Sequence, residues 1–195
     1  VLNGDAEIGG SANGKVAMNG GGTLTEGASV PVADYAEKLS TLSTFLSTFQ
    51  TTTGAYYNSA DQNAPLNLGA GDADGYVFLN LTESEANSLF SNNINSLTTS
   101  AYSGVILNIA GSSFNRTGNW NAQASNVILN FYEATSFGNT NGNLNFSVLA
   151  PFADVTTAGS GMNGFVVGKT ITNFAEIRPP YTDNPLNYSG TLPEQ

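Results

Sequence analysis

One segment of the chain recurs at a fixed interval. SGVILNI begins at Ser103 and SNVILNF at Ser125, 22 residues later. Two further steps of 22 reach SVLAPF at Ser147 and KTITNF at Lys169. The first two copies share Ser, Val, Ile, Leu and Asn; the later two decay. Halfway between come SSFN at 112–115 and SFGN at 136–139. A period near 20 residues, made of short β bursts between polar corners, is the mark of a β-solenoid. Each coil winds once and lays short strands on three faces, and each strand pairs with its equivalents above and below. The corners need tight turns, which Gly and Asn make cheaply. Asn-Gly occurs at 3–4, 13–14, 19–20, 141–142 and 163–164. Asn-Gly is also a strong hairpin turn, so a meander of hairpins competes. The 22-residue repetition favours the coil.

A second echo joins the two ends of the sequence. GSANGKVAM at 10–18 resembles GSGMNGFVV at 159–167. Between them lies an insertion at about 31–50 with helical periodicity. Val32, Tyr35, Leu39, Leu42, Leu46 and Phe49 step by three and four, with Ser and Thr opposite. Pro31 suits its first turn. A helix of about 18 residues is ~27 Å long, enough to lie along several rungs and cover their apolar face. GYVFLNL at 75–81 reads as a strand. Thr82 and Glu85 then fit a capping box for a short second helix, with Ala86, Leu89 and Phe90 inward. The expected organisation is a single mostly β domain over 1–181 with one long α-helix packed alongside. An extended tail or linker follows at 182–195.

Composition narrows the function. Five Lys and Arg stand against 15 Asp and Glu, a net charge of −10. Such a chain has no basic footprint for nucleic acid. An anionic membrane surface is a poor partner too. Charged residues make up only 10% of the 195, and Asn, Ser, Thr and 22 Gly keep the surface wet instead. That balance is common in extracellular β-rich proteins. There is no Cys and no His. This removes disulfides, thiolate chemistry, Ser-His and Cys-His catalysis and histidine metal sites. No run approaches the ~18 apolar residues of a membrane span. The opening VLNGDAEIGG reads like the middle of something, a piece of a longer chain.

These motifs together resemble the choice-of-anchor A domain, a module of secreted and surface-attached adhesins sometimes labelled collagen-binding. NGKVAMNGGGTL looks like that family's early Gly-rich block, and the helix after SVPVADYAEKL falls where the family has one. SGVILNIAGSSFN with SNVILNFYEATSF resembles its central pair of rungs. VLAPFADVTTAGSGMNGFVVGKTITNFAEIRPPY resembles its closing block. The resemblance spans residues 1–181. Two departures stand out: the family's first strands are missing upstream of Val1, and AEIRPPY carries Arg178 and a Pro pair. The resemblance implies extracellular or cell-surface placement and adhesion, with no catalytic residues. The layout of a β-helix with a lengthwise helix is also similar to that of microbial ice-binding proteins.

Few residues offer chemistry. Asp72 and Asp74 precede Gly75 in GDADG, and Glu83 falls at position 12 of a loop counted from Asp72. That is Ca²⁺-loop spacing, although Tyr76 is a poor ligand at position 5. The competing reading is an acidic turn. Glu133, Asp154 and Glu176 are spaced by 21 and 22 and would stack in a 22-residue coil. Converging acids are what a polysaccharide-cleaving β-helix needs; three unrelated outward acids are the plainer reading. TTT at 51–53 and VTT at 155–157 do not repeat at rung spacing, which argues against an ice-binding array. Trp120, Tyr132, Tyr181 and Tyr188 suit a sugar platform or, more simply, core packing. Asn80, Asn115, Asn145 and Asn187 head N-x-S/T sequons for glycosylation. The sequence thus points to a non-enzymatic extracellular module of adhesion or structural assembly that needs no cofactor, Ca²⁺ aside. Its expected partner is a matrix protein, a glycan or copies of itself. A carbohydrate-binding or carbohydrate-active β-helix and an ice binder are the alternatives.

Overall fold

A computed structural model describes residues 2–3, 6–8, 18–19, 23–27, 32–158 and 161–178. The chain divides into two compact units, Val1–Lys38 and Leu39–Gln195. The first holds β1 (Leu2–Asn3), β2 (Ala6–Ile8), β3 (Met18–Asn19) and β4 (Leu24–Glu26). Its strands form two parallel pairs, β1 with β3 and β2 with β4. Most of the GSANGKVAM echo and the predicted tail at 182–195 lie outside the described residues.

Helix α1 (Val32–Ser47) begins in the first unit and ends in the second. The second unit continues with β5 (Ala55–Tyr57), β6 (Leu66–Leu68), β7 (Tyr76–Leu81), α2 (Glu83–Ser91) and β8 (Gly104–Ile109). Then come β9 (Ser113–Arg116), β10 (Val127–Asn130), β11 (Ser136–Asn139) and β12 (Asn143–Leu144). The described chain closes with β13 (Ser147–Thr157), β14 (Gly161–Asn163), β15 (Val166–Asn173) and β16 (Ile177–Arg178). Apart from the β5–β6 hairpin, every ladder among the described residues is parallel. The hairpin meander is therefore excluded, and the unit is a β-solenoid with three faces. Face one stacks β7, β8, β10 and the first parts of β13 and β15. Face two stacks β9, β11 and the second parts of β13 and β15. Face three stacks β12, β14 and β16, with a bridge between Ile94 and Trp120 in earlier coils.

The coils are not of equal length. On face one Leu79, Leu107, Leu129, Val148 and Val166 are in register, at intervals of 28, 22, 19 and 18 residues. The 22-residue period holds for one step only. GYVFLNL is thus an earlier rung of the same face. KTITNF belongs to face two, where Thr170 pairs with Asp154. Corners cause the drift, because strand registers stay fixed while loops lengthen or shorten. One corner shows how tightly coils approach. A Cβ on Gly118 would lie 1.8 Å from the Asn92 carbonyl oxygen of the previous coil. Gly there is set by the backbone next door, not by its own φ.

Inside, identical and similar side chains stack. Leu79, Leu107, Leu129 and Val148 fill the face-one column, and Phe114, Phe137 and Val155 the face-two column, all buried. Helix α2 sits where the first coil would have its face-two strand. Its capping box forms as expected: Thr82 Oγ1 accepts from Glu85 N, and Thr82 N donates to Glu85 Oε2 at 2.9 Å. Ala86, Leu89 and Phe90 are buried. Phe90 meets Phe114, Trp120, Phe131 and Phe137 at centroid distances of 5.5–5.8 Å, so the helix plugs this end of the core. On face one the same end is closed by Thr52, whose N–H donates to Phe78 O and whose Oγ1 accepts from Phe78 N. At the far end the inward-facing Ile171 and Ile177 are 43% and 40% exposed.

The second part of α1 lies against the outward side of face one, as its stripe implies. Leu39, Leu42, Leu46 and Phe49 pack on Tyr76, Phe78, Ile106, Ile128, Leu149 and Val167. Phe49 stacks on Phe78 with ring centroids 4.4 Å apart. An asparagine ladder fixes the register. Asn80, Asn108 and Asn130 pair across three rungs, and each amide donates to the next, Asn130 to Asn108 at 2.8 Å and Asn108 to Asn80 at 2.9 Å. The same Nδ2 groups donate to main-chain oxygens: Asn130 to Ser43, Asn108 to Leu46, Asn80 to Phe49. Those acceptors step by three residues. Three residues of helix rise about 4.5 Å, and parallel rungs stand about 4.8 Å apart. Helix and ladder are nearly commensurate, so one Asn per rung satisfies one carbonyl per step. Leu46 O, among the last helical carbonyls, accepts from Phe49 N at 3.4 Å as well as from Asn108 Nδ2 at 2.8 Å.

Candidate functional site

The outward side of face two carries two columns of small polar residues. One column is Ser113, Ser136, Asp154 and Thr170; the other is Asn115, Gly138, Thr156 and Thr172. Parallel pairing sets about 4.8 Å between rungs and about 6.6 Å between columns. Neighbours within the first column bond to each other. Ser113 and Ser136 hydroxyls are 2.7 Å apart, and Thr170 Oγ1 donates to Asp154 Oδ1 at 2.6 Å. Gly138 makes room for its neighbour: a Cβ there would stand 2.6 Å from Asn115 Oδ1. Ser113, Asn115, Asp154, Thr170 and Thr172 are exposed. The result is a flat parallel sheet surface of hydroxyls and amides, with Asp154 its single carboxylate. It offers alternating donors and acceptors for docking. Its one hydroxyl–carboxylate pair, Thr170 with Asp154, stands exposed on the sheet surface.

The inward side of face two holds a group that sequence reasoning missed. Arg116 is fully buried and in register with Asn139, Thr157 and Asn173. Its guanidinium donates to Asn139 Oδ1 and Gly118 O, both at 2.6 Å, and to the carbonyls of Asn141, Gly142 and Asn143. It also lies over Trp120, 5.4 Å from the ring centroid. Burial lowers its pKa to about 10, so it stays charged at neutral pH. The carbonyls of a corner, not a carboxylate, hold this cation. Its role is structural. A single basic residue in the half-repeat GSSFNR was the available signal.

The sequence-predicted residues disperse. Asp72 Oδ1 accepts from Asp74 N at 3.0 Å and Tyr76 N at 2.7 Å, an acidic turn opening β7. Glu83 lies beyond the far end of the six-residue β7, at the start of α2. The structure therefore does not assemble Asp72, Asp74 and Glu83 as one ligand set. Among the described residues no three acidic side chains come together. Glu133, Asp154 and Glu176 do not stack either, because the coils there are shorter than their spacing: on face two Ser136 to Asp154 is 18 residues and Asp154 to Thr170 is 16. Glu133 accepts from Gly111 N at 2.6 Å, Asp154 sits on face two, and Glu176 pairs with Arg178 at 2.6 Å. The Arg178 hydrogen bond and charge hold the Glu176 carboxyl below its ordinary range. Trp120 is core, and Tyr132 is partly buried with its pKa raised by burial and by Glu133. Tyr181 and Tyr188 lie outside the described residues.

Of the sequons, Asn145 is buried, donating to Ala122 O and accepting from Asn163. That nitrogen is closed to a glycosyltransferase in the folded chain. Asn80 spends its Nδ2 on Phe49 O. Asn115 stands exposed on face two, and Asn187 lies outside the described residues. Among the described residues, no helix is long and apolar enough to cross a membrane.

A family model described as "Putative Ice-binding-like adhesive domain" matches residues 1–179. No curated protein and no solved structure matches the chain.

Proposed function

The chain belongs to the family of ice-binding-like adhesive domains, and we propose that it acts as a non-enzymatic extracellular module of adhesion or structural assembly. The family match supports an adhesive role at a surface or outside the cell; membership of the choice-of-anchor A group rests on the sequence motifs alone. The observation that carries the reading is the uncovered hydroxyl and amide surface of face two. A flat sheet with donors and acceptors at rung spacing suits an extended partner that can match them, a matrix polypeptide or a glycan chain. Copies of the same chain are the third candidate. The domain would need no cofactor for this, since the contacts are hydrogen bonds from its own side chains.

The alternatives have less behind them. Thr156 and Thr172 do fall in register, which the sequence repeat concealed. Yet the same column continues as Gly138 and Asn115, so the threonines do not extend into the uniform array that an ice surface calls for. A carbohydrate-cleaving site needs acids converging within about 5–9.5 Å, and the three candidate acids occupy different parts of the coil.

The test is retention of domain-coated beads on matrix proteins and glycan-coated surfaces, with light scattering for self-association. Thr156→Arg places a long cation in the middle of face two. It should cut retention at least about tenfold, because a like-shaped contact cannot close over it. Equal retention of the variant, or activity only in ice-shaping or polysaccharide-cleavage assays, would overturn the reading.

A further inference from the structure

One corner of the solenoid is longer than winding requires. Between the face-three and face-one strands, coils three and four need three residues, 145–147 and 163–165. Counted to the same register position, the first coil uses twelve, between Ile94 and Leu107, and the second uses eight, between Trp120 and Leu129. The additional residues do not extend any strand. They form the walls of a cleft of about 450 Å³, bounded by residues 97–102 of one coil and 123–126 of the next. That volume is in the range of small-ligand sites, ~300–1,000 Å³. Loop length beyond what the fold needs, shaped into a concavity, is where binding function concentrates.

The cleft is held rigid from behind. Asn126 Nδ2 donates to both Thr99 O and Tyr102 O at 3.0 Å, clamping the first loop to the second. Tyr102 N closes a turn onto Thr99 O at 3.0 Å, and the Tyr102 hydroxyl donates to Gly69 O at 2.7 Å. Asn126 O accepts from Val105 N at 2.9 Å, tying the corner to the β8 rung. A ligand would therefore meet a preformed shape and spend little on ordering it.

Its chemistry is selective. The walls present the side chains of Thr98, Ser100 and Gln123 beside Leu97 and Tyr102, and no lining residue carries a carboxylate, amine or guanidinium. Hydroxyls and amides both donate and accept, while Leu97 and the Tyr102 ring supply apolar area. The combination suits a ligand with several hydroxyls and an apolar ring face, and the net charge of −10 disfavours anions. We infer that this corner cleft binds a neutral sugar residue. The inference names a ligand for an adhesive module and rests to that extent on the adhesion reading, but it concerns a separate surface from face two.

The experiment is amide shift mapping by NMR with glucose, galactose, mannose, N-acetylglucosamine and cellobiose, and with N-acetylneuraminic acid as the anionic control. At least one neutral sugar should shift the amides of 97–102 and 123–126 saturably. Ser100→Trp, which fills the mouth, should weaken that sugar by about tenfold or more. Gln123→Ala, a milder change on an exposed side chain, should weaken it measurably with the spectrum otherwise intact. Thr156→Arg should leave it unchanged. Absence of saturable shifts with every neutral sugar, shifts indifferent to both cleft variants, or preference for the anionic sugar would each overturn the inference. If beads still adhere through face two while no sugar enters the cleft, this inference fails and the adhesion reading stands. Sugar binding in the cleft with retention unaffected by Thr156→Arg would fail the other way.

Discussion

Faces one and two are built from the same coils by the same parallel pairing, yet their outer surfaces have opposite fates. Outward on face one stand Tyr76, Phe78, Ile106, Ile128 and Leu149, and a helix lies over them. Outward on face two stand Ser113, Ser136, Asp154, Thr156, Thr170 and Thr172, and they meet solvent. The difference teaches that a solenoid's inward columns specify the fold, while its outward columns are left open. An apolar outward column must be covered; a hydroxyl column can be left bare for a partner. The first solution spends a helix on stability, and the second keeps a surface for function.

Breaking the covered side should be costly. Phe78 is 4% exposed and stacks on Phe49. Phe78→Ala should destabilise the domain by about 3–5 kcal/mol, through lost burial plus the cavity left under the helix. Denaturant midpoints would measure it. Hydrogen exchange should show the end of α1 losing protection ahead of the rungs; if rungs and helix open together, the two faces are less independent than argued.

The inner side of face two is the next test. Removing Arg116 orphans the corner oxygens of Gly118, Asn141, Gly142 and Asn143. An unsatisfied buried acceptor costs about 1–3 kcal/mol, and partial access to water at the corner limits the sum, so Arg116→Ala should cost about 3 kcal/mol. The sign of its pH effect follows from the depressed pKa. The folded state releases this proton more readily than the unfolded one, so the group's contribution to stability rises only between about 10 and the ordinary arginine value. Below pH 9 this residue should leave the stability profile flat. An Arg116→Ala difference that varied between pH 6 and 9 would contradict the assignment.

The asparagine ladder sits where the faces' two solutions meet, polar groups used under a covering helix. Asn130 is buried, accepts from Ser43 Oγ at 2.6 Å, and donates to Ser43 O and Asn108 Oδ1. Asn130→Ala should cost about 2 kcal/mol by leaving buried partners unsatisfied. Asn108→Ala should cost a similar amount, and the double variant less than the sum, since the ladder is shared. Strict additivity would show that the rungs bind the helix separately.

Much of this was readable beforehand, for a physical reason. Repetition of SGVILNI and SNVILNF reports inward stacking directly, and of the stripe from Val32 to Phe49 the part from Leu39 onward reports the covering of face one, while Tyr35 is exposed. What the spacing hid was the drift in coil length. Corners are set by loop contacts such as Gly118 against Asn92 O, which leave no period. That drift displaced KTITNF onto face two and dissolved the imagined column of Glu133, Asp154 and Glu176. The corner cleft was hidden by the same cause, since it is made of the residues by which early coils exceed later ones. The half-repeats SSFN and SFGN were visible, but only pairing put Thr156 and Thr172 beside them.

The smallest expected change in stability carries the sharpest functional test. Thr156 stands outward on face two, and no inward column depends on it. Its replacement by Arg should change the unfolding free energy by no more than about 0.5 kcal/mol, the ordinary range for a surface change. A Thr156→Val variant should likewise stay near neutral while removing one donor and one acceptor from the array. Retention on the partner surface should fall in both, more steeply for Arg, which adds bulk as well as subtracting hydrogen bonds. Loss of stability comparable to that of Phe78→Ala would mean that face two is covered after all. Unchanged stability with unchanged retention would mean that the bare hydroxyl face is solvent-facing decoration. Only unchanged stability with lost retention separates the face that builds the domain from the face that uses it.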